Sequence, residues 1–183
     1  MRDFIKSIFA GLMIGIAGSI FLNVDNKIAS ALLFSIGLII ICLRGYNLYT
    51  GKIGYIKSVK DLPKMFLYII GNLFGVFLIS LTTKTSSNEL ILQKLNIPWH
   101  LTLLKSIGCG FLMFLAVDIY KQKESVIGIL CCIPAFILAG FEHSIADLFY
   151  ICCGNIYNLE VLKFIFIVIV GNAVGALLHK SIE

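Results

Sequence analysis

Apolar residues run almost unbroken through six stretches of the chain, and short polar breaks separate them. The stretches cover about 4–22, 28–50, 64–82, 100–120, 125–150 and 160–180. Each is close to the roughly 20 apolar residues a helix needs to cross a bilayer. Asn23-Val-Asp-Asn-Lys27 reads as a polar turn. Lys52 to Lys64 holds four lysines and Pro63, and Thr82 to Trp99 is the longest polar stretch. Lys121-Gln-Lys-Glu124 is short, and Gly154 to Glu160 is a Gly/Asn loop. The pattern predicts an all-α membrane protein with six transmembrane helices. The first apolar run, Phe4 to Val24, has the length of a signal peptide. No small-residue cleavage site leads from it into a soluble chain, and five more apolar runs follow.

Composition agrees with that pattern. Hydrophobic residues make up 59% of the 183 and charged residues 14%, with a mean hydropathy of +0.97. A soluble domain needs more charge to cover its surface. Six spans in this length leave room for short loops only, so one transmembrane domain, 1–183, is expected. The six cysteines (Cys42, Cys109, Cys131, Cys132, Cys152, Cys153) form no C-x-x-C pair and lie in or beside apolar runs. They read as packing residues, not as a metal or redox site. Nothing points to a cofactor or to nucleic acid. Basic residues fall unevenly between the two sides, nine on the side of the N-terminus and four on the other. That bias predicts cytoplasmic termini in a plasma-membrane protein.

The chain repeats itself. Lys6-Ser-Ile8 recurs as Lys105-Ser-Ile107, and Gly71-Asn-Leu-Phe-Gly75 as Gly171-Asn-Ala-Val-Gly175. At the latter's offset, Asn47-Leu-Tyr49 faces Asp147-Leu-Phe149. The halves are about 1–83 and 100–183. Three spans per half reverse the second half's direction, so the repeats are inverted, an arrangement that places sites at the bilayer midplane.

The second and fifth spans are interrupted by polar residues and glycine: Cys42-Leu-Arg-Gly-Tyr-Asn-Leu-Tyr-Thr-Gly-Lys52 and Gly140-Phe-Glu-His-Ser-Ile-Ala-Asp147. Irregular backbone at membrane depth is tolerated only where protein buries it or water lines it. Paired interruptions therefore point to broken helices around a binding site or pore. A charge in such a segment costs on the order of 3 kcal/mol. Glu142 reads as a structural polar contact. His143 and Asp147, four apart, would share a helix face. Arg44 reads either as a pin for the broken helix or as a selectivity charge. Asn72 and Asn172, between small residues, read as helix-packing positions.

At these residues the chain resembles the formate/nitrite transporter family. Gly140-Phe-Glu-His-Ser-Ile-Ala-Asp-Leu-Phe149 is similar to that family's G-F-E-H-S-I-A-N-M-F signature. Gly37-Leu38 through Gly45-Tyr-Asn-Leu-Tyr-Thr50 resembles its broken helix, which ends in L-F-T. The two G-N-x-x-G segments and Leu115-Ala-Val117 fit as well, in a short member with trimmed loops.

The resemblance implies an aquaporin-like fold, a homopentamer with one pore per subunit, and transport of formate, nitrite, lactate or hydrosulfide, often proton-coupled. It implies a cytoplasmic constriction at Leu38 and Tyr49 and a periplasmic one at Phe34 and Phe136. Thr50 and His143 would lie between them. A vestibule lysine that gathers the anion would be Lys94, with Lys105 as its rival. The chain departs from the family's pattern twice: Asp147 stands where the family has asparagine, and so does Gly110.

The expected function is therefore a channel or transporter for a small weak-acid anion, proton-linked through His143. Asp147 motivates an alternative, a channel for a neutral or cationic solute such as hydrogen sulfide or ammonium. A membrane enzyme built on Glu142, His143 and Asp147 is disfavoured, because no G-x-S-x-G or H-E-x-x-H site is present. A structural subunit without transport of its own is the remaining rival.

Overall fold

A computed structural model describes residues 1–181, so the last two residues of the expected domain lie outside the described residues. The described chain is all-helical, without a strand. Its helices are α1 (Arg2–Asn23), α2 (Lys27–Arg44), α3 (Tyr49–Lys52), α4 (Leu62–Ser80), α5 (Asn88–Leu95), α6 (Trp99–Lys123), α7 (Ile127–Leu138), α8 (Ser144–Gly154) and α9 (Leu159–Lys180). A 3₁₀ turn, Ile53–Tyr55, extends α3. Helices α1, α2, α6 and α9, and the segment Val59–Ser80 that contains α4, are long and apolar enough to cross a membrane. The shorter α7 and α8 follow one another across residues 139–143.

Polar side chains set the helix starts. Asn26 caps α2 by accepting from the Ile28 and Ala29 N–H groups, at 3.1 and 3.0 Å. Asn158 caps α9 through Val161 N–H at 2.9 Å. The outward faces stay apolar: Phe66, Leu104, Leu162 and Phe166 are all exposed. A soluble fold would turn such a belt inward, whereas in a bilayer it faces lipid, and the helices satisfy their own backbone groups.

Both predicted breaks are present. Helix α2 stops at Arg44, where Gly45 takes the left-handed conformation at φ 62°. Helix α7 stops before Gly140, at φ 66°. A residue without a Cβ adopts that conformation at little cost. The second apolar stretch is thus no continuous span over 28–50, because its second half is the short α3. The fifth is interrupted and runs on to Gly154. The polar stretch from Thr82 to Trp99 is not all loop, since it contains the short helix α5.

The breaks are held by the two asparagines of the G-N-x-x-G segments. Asn72 Oδ1 accepts from Tyr49 N–H at 2.9 Å, and its Nδ2 donates to the Ser7 and Asn47 carbonyls at 2.7 and 3.0 Å. Asn172 repeats this with Ser144 N–H at 2.8 Å and the Ser106 and Glu142 carbonyls, both at 2.9 Å. Each amide satisfies backbone groups that a helix interruption frees. These residues are bridges between three segments, beyond the packing role read from sequence.

The shared bonding also corrects the repeat register. Asn47 corresponds to Glu142, and Tyr49 to Ser144, so Asn47-Leu48-Tyr49 does not pair with Asp147-Leu148-Phe149. The stretch from each break to its bridging asparagine differs in length, 25 residues from Asn47 to Asn72 and 30 from Glu142 to Asn172, which shifts the offset locally.

Close helix crossings bring these elements together. A Cβ on Gly75 would lie 2.2 Å from the Ile8 carbonyl oxygen, and one on Gly175 would lie 2.0 Å from that of Ile107. Helices α1 and α4, and likewise α6 and α9, therefore meet backbone to backbone. Gly110, where the family resemblance implies asparagine, faces Asn172 in the same way. A Cβ there would be 2.1 Å from the Asn172 carbonyl oxygen, so no side chain fits.

Candidate functional site

The two breaks meet at one hydrogen bond. Thr50, in the first turn of α3, and His143, just before α8, are 3.0 Å apart between Oγ1 and Nε2. Thr50 is fully buried and His143 is 2% exposed. His143 is the N-cap of α8, and its Nδ1 accepts from Ala146 N–H at 3.1 Å. An Nδ1 that accepts carries no proton, so the ring is neutral and its Nε2–H donates to Thr50. The hydroxyl hydrogen of Thr50 is then left to point elsewhere.

His143 and Asp147 do not share a helix face, because the helix begins only at Ser144. The Asp147 N–H instead donates to the His143 carbonyl at 2.8 Å, as the first turn of α8.

A cavity lies on each side of this bond. One, of about 120 Å³, is lined by Phe34, Phe136, His143, Lys94 and Asp147, among others. Phe34 and Phe136 meet edge to face with ring centroids 6.3 Å apart, and Phe136 stacks on His143 at 5.7 Å. The other, of about 90 Å³, is lined by Leu38, Leu48, Gly51, Lys52 and Lys121, among others. Phe34 and Leu38 are four apart on α2, one above the other on a single face and about 6 Å apart along the helix, so the two cavities meet the same face of α2.

Tyr49, expected beside Leu38, lines neither cavity. Its hydroxyl donates to the Ile169 carbonyl at 3.1 Å, away from them. Leu48, the repeat counterpart of His143, takes the place expected for Tyr49. Arg44 is exposed in the last turn of α2 and lines neither cavity; its charge complements the helix C-terminus.

A buried ion triad stands beside the first cavity. Lys94 from α5 pairs with Glu142, and with Asp147 at 3.0 Å. Burial alone would pull the Lys94 ammonium down. The Asp147 and Glu142 carboxylates outweigh that and hold it above the ordinary lysine range. Both carboxylates are almost fully buried, and Asp147 Oδ2 has no hydrogen-bond partner among the described residues. The rival lysine, Lys105, lies elsewhere: its Nζ is 3.9 Å from where a Cβ on Gly140 would sit. Lys6 stands in the same relation to Gly45, also at 3.9 Å. Of the two candidates, Lys94 is the one that lines the cavity.

The model of the formate/nitrite transporter family matches residues 1–181. This chain belongs to that family. It is 28% identical over 184 residues to formate-nitrite transporter 2 of Toxoplasma gondii, a match covering 84% of this chain and 40% of that protein. It is also 28% identical over 151 residues to the uncharacterized transporter YrhG of Bacillus subtilis, covering 69% of this chain and 57% of the other. The chain thus spans about half the length of these relatives.

Two solved structures share the fold. An FNT family ion channel superposes with a TM-score of 0.79 at 20% identity, over 97% of this chain and 84% of the other. A pentameric formate channel with formate bound gives 0.81 at 19% identity, over 99% and 92%. This member of the formate/nitrite transporter family is therefore a multi-pass membrane protein with the fold of known channels.

Proposed function

We propose that this chain passes a small monovalent anion of a weak acid, of the formate, nitrite or hydrosulfide kind, through a pore centred on Thr50 and His143. The carrying observation is the Thr50–His143 hydrogen bond between two cavities on one face of α2. Membership of the family and the formate bound in a structural neighbour support the solute class. The reading includes six crossings in two inverted halves, cytoplasmic termini in the plasma membrane, and a homopentamer like the pentameric neighbour.

The mechanism follows from the polarity of the path. Phe34 and Phe136 form the narrow apolar passage on one side of the centre, and Leu38 with Leu48 forms the passage on the other. A bare anion loses hydration there at a cost of several kcal/mol. A weak acid avoids that cost by crossing as the neutral acid, so a proton travels with each solute. At the centre, His143 Nε2–H fills a lone pair of Thr50, which turns the Thr50 hydroxyl hydrogen toward the solute as a donor. The N-terminus of α8 adds a positive dipole end at the same point. His143 links transport to the proton by holding this donor in place. A second proton on its ring would need the Ala146 bond to open.

One observation favours a second reading, a channel for a neutral or cationic solute. Two carboxylates surround Lys94, so with both ionised the triad carries a net negative charge. A stopped-flow panel on the purified chain in liposomes separates the two. Formate, nitrite and hydrosulfide are expected to cross well above protein-free liposomes and faster than lactate, because the cavities are small. Faster flux of ammonium than of formate would reverse the assignment.

A further inference from the structure

The mouth opposite the triad has a different charge pattern. Lys52 and Lys121 line the cavity of Leu38 and Leu48. Both also line a wider outer cavity of about 390 Å³, with Asp3, Tyr55, Asp61 and Lys64 on its wall. They therefore stand at the junction between the outer cavity and the pore. Lys121 lies over the ring of Tyr55, 3.1 Å from its centroid, which fixes the ammonium at the opening.

The carboxylates nearby are engaged elsewhere. Asp3 pairs with Lys64 at 3.1 Å, and Asp61 accepts from the Lys57 and Ser58 N–H groups at 2.8 and 3.1 Å. Asp118 accepts from the Tyr55 hydroxyl at 2.7 Å and from Gln122. Among the described residues, neither Lys52 nor Lys121 makes an ion pair. The contrast with Lys94, flanked by two carboxylates, is one of kind.

We propose that Lys52 and Lys121 form an anion-binding site at this mouth, taking a small carboxylate or comparable oxyanion before it enters the pore. The proposal rests on the reading of the Leu38 cavity as part of an anion path. Two ammoniums without an ion-pair partner among the described residues, beside low-dielectric walls, concentrate anions locally. The two mouths then have different tasks. One collects the anion on paired lysines, and the other presents a triad whose lysine is already neutralised.

The test uses the full chain in detergent with ¹³C-formate, and binding is read from NMR line broadening. The double variant Lys52→Gln, Lys121→Gln is expected to bind formate about fivefold more weakly than the wild type, and to lose most of its salt dependence. The charge-keeping pair Lys52→Arg, Lys121→Arg is expected to restore binding, which separates charge from folding. Absence of formate binding by the wild type, equal affinity in the glutamine variant, or no recovery with arginine overturns the site. Flux in liposomes is measured in parallel. Lysine-dependent binding in a protein that carries no formate upholds the site and removes the transport reading.

Discussion

Asp147→Asn is expected to raise formate flux about tenfold in the alkaline range, where both carboxylates of its ion triad are ionised. The triad of Lys94, Glu142 and Asp147 carries one negative charge in excess when both carboxylates are ionised, beside the cavity that His143 lines. A unit charge about 7 Å from an anion that has entered the cavity and not yet taken its proton contributes on the order of 2 kcal/mol at an effective dielectric of about 20. Screening reduces this, which leaves roughly a tenfold effect on rate. Asparagine removes the charge, and its amide oxygen can still accept from Lys94, so the fold is kept.

The sign with pH follows. Taking up one proton makes the wild-type triad neutral, so wild-type flux rises as pH falls. The ratio of variant to wild type is then largest at high pH and approaches one in acid. The weak acid's own protonation is common to both proteins and cancels in that ratio. Initial rates in liposomes across pH give the answer. A variant no faster than the wild type at alkaline pH shows that this carboxylate does not set the barrier.

The second large effect belongs to His143. The side chain caps α8 through Nδ1 and holds Thr50 through Nε2. Substitutions can separate these two tasks. Asparagine is a good N-cap and can keep the bond to Ala146 N–H, but it is too short to reach Thr50. His143→Asn is expected to fold with near-normal stability and to lose about a hundredfold in formate flux. That loss matches the roughly 3 kcal/mol typical of removing one aligned donor from a charge-stabilising site. His143→Phe removes both tasks. It is expected to lose the flux together with about 1 kcal/mol of stability from the missing cap. Flux is read in liposomes and stability from thermal unfolding in detergent. Full flux in the asparagine variant would make His143 a cap and nothing more.

Much of this arrangement is legible in the sequence, for physical reasons. Glycine beside charged residues inside an apolar run marks Gly45 and Gly140, because lipid tolerates no unsatisfied backbone there. Polar interruptions at matching places in the two halves mark Thr50 and His143, which the structure brings together. Other features are not legible. The repeat register around Asn47 depends on loop lengths that apolar similarity does not fix. The direction of Tyr49 depends on a carbonyl 120 residues away, Ile169. The bridging role of Asn72 and Asn172 is hinted only by their identical G-N-x-x-G settings. Two halves that each need a polar bridge are the available signal.

Helix α5 escapes notice because its apolar share is low and its flanks are polar. It nevertheless carries Lys94 to two carboxylates more than forty residues away in sequence. Asp147 shows as a departure from the family's asparagine. Its ion pair depends on that tertiary contact, which spacing alone does not reveal.

Acidification inside liposomes that hold the purified chain and a pH-sensitive dye, under an inward formate gradient at equal starting pH, tests the central reading most directly. A pore that passes the weak acid with its proton acidifies the interior faster than protein-free liposomes do, and the Thr50→Val, His143→Asn double variant loses that excess. No excess acidification under the formate gradient, with ammonium uptake above that of protein-free liposomes, would contradict it.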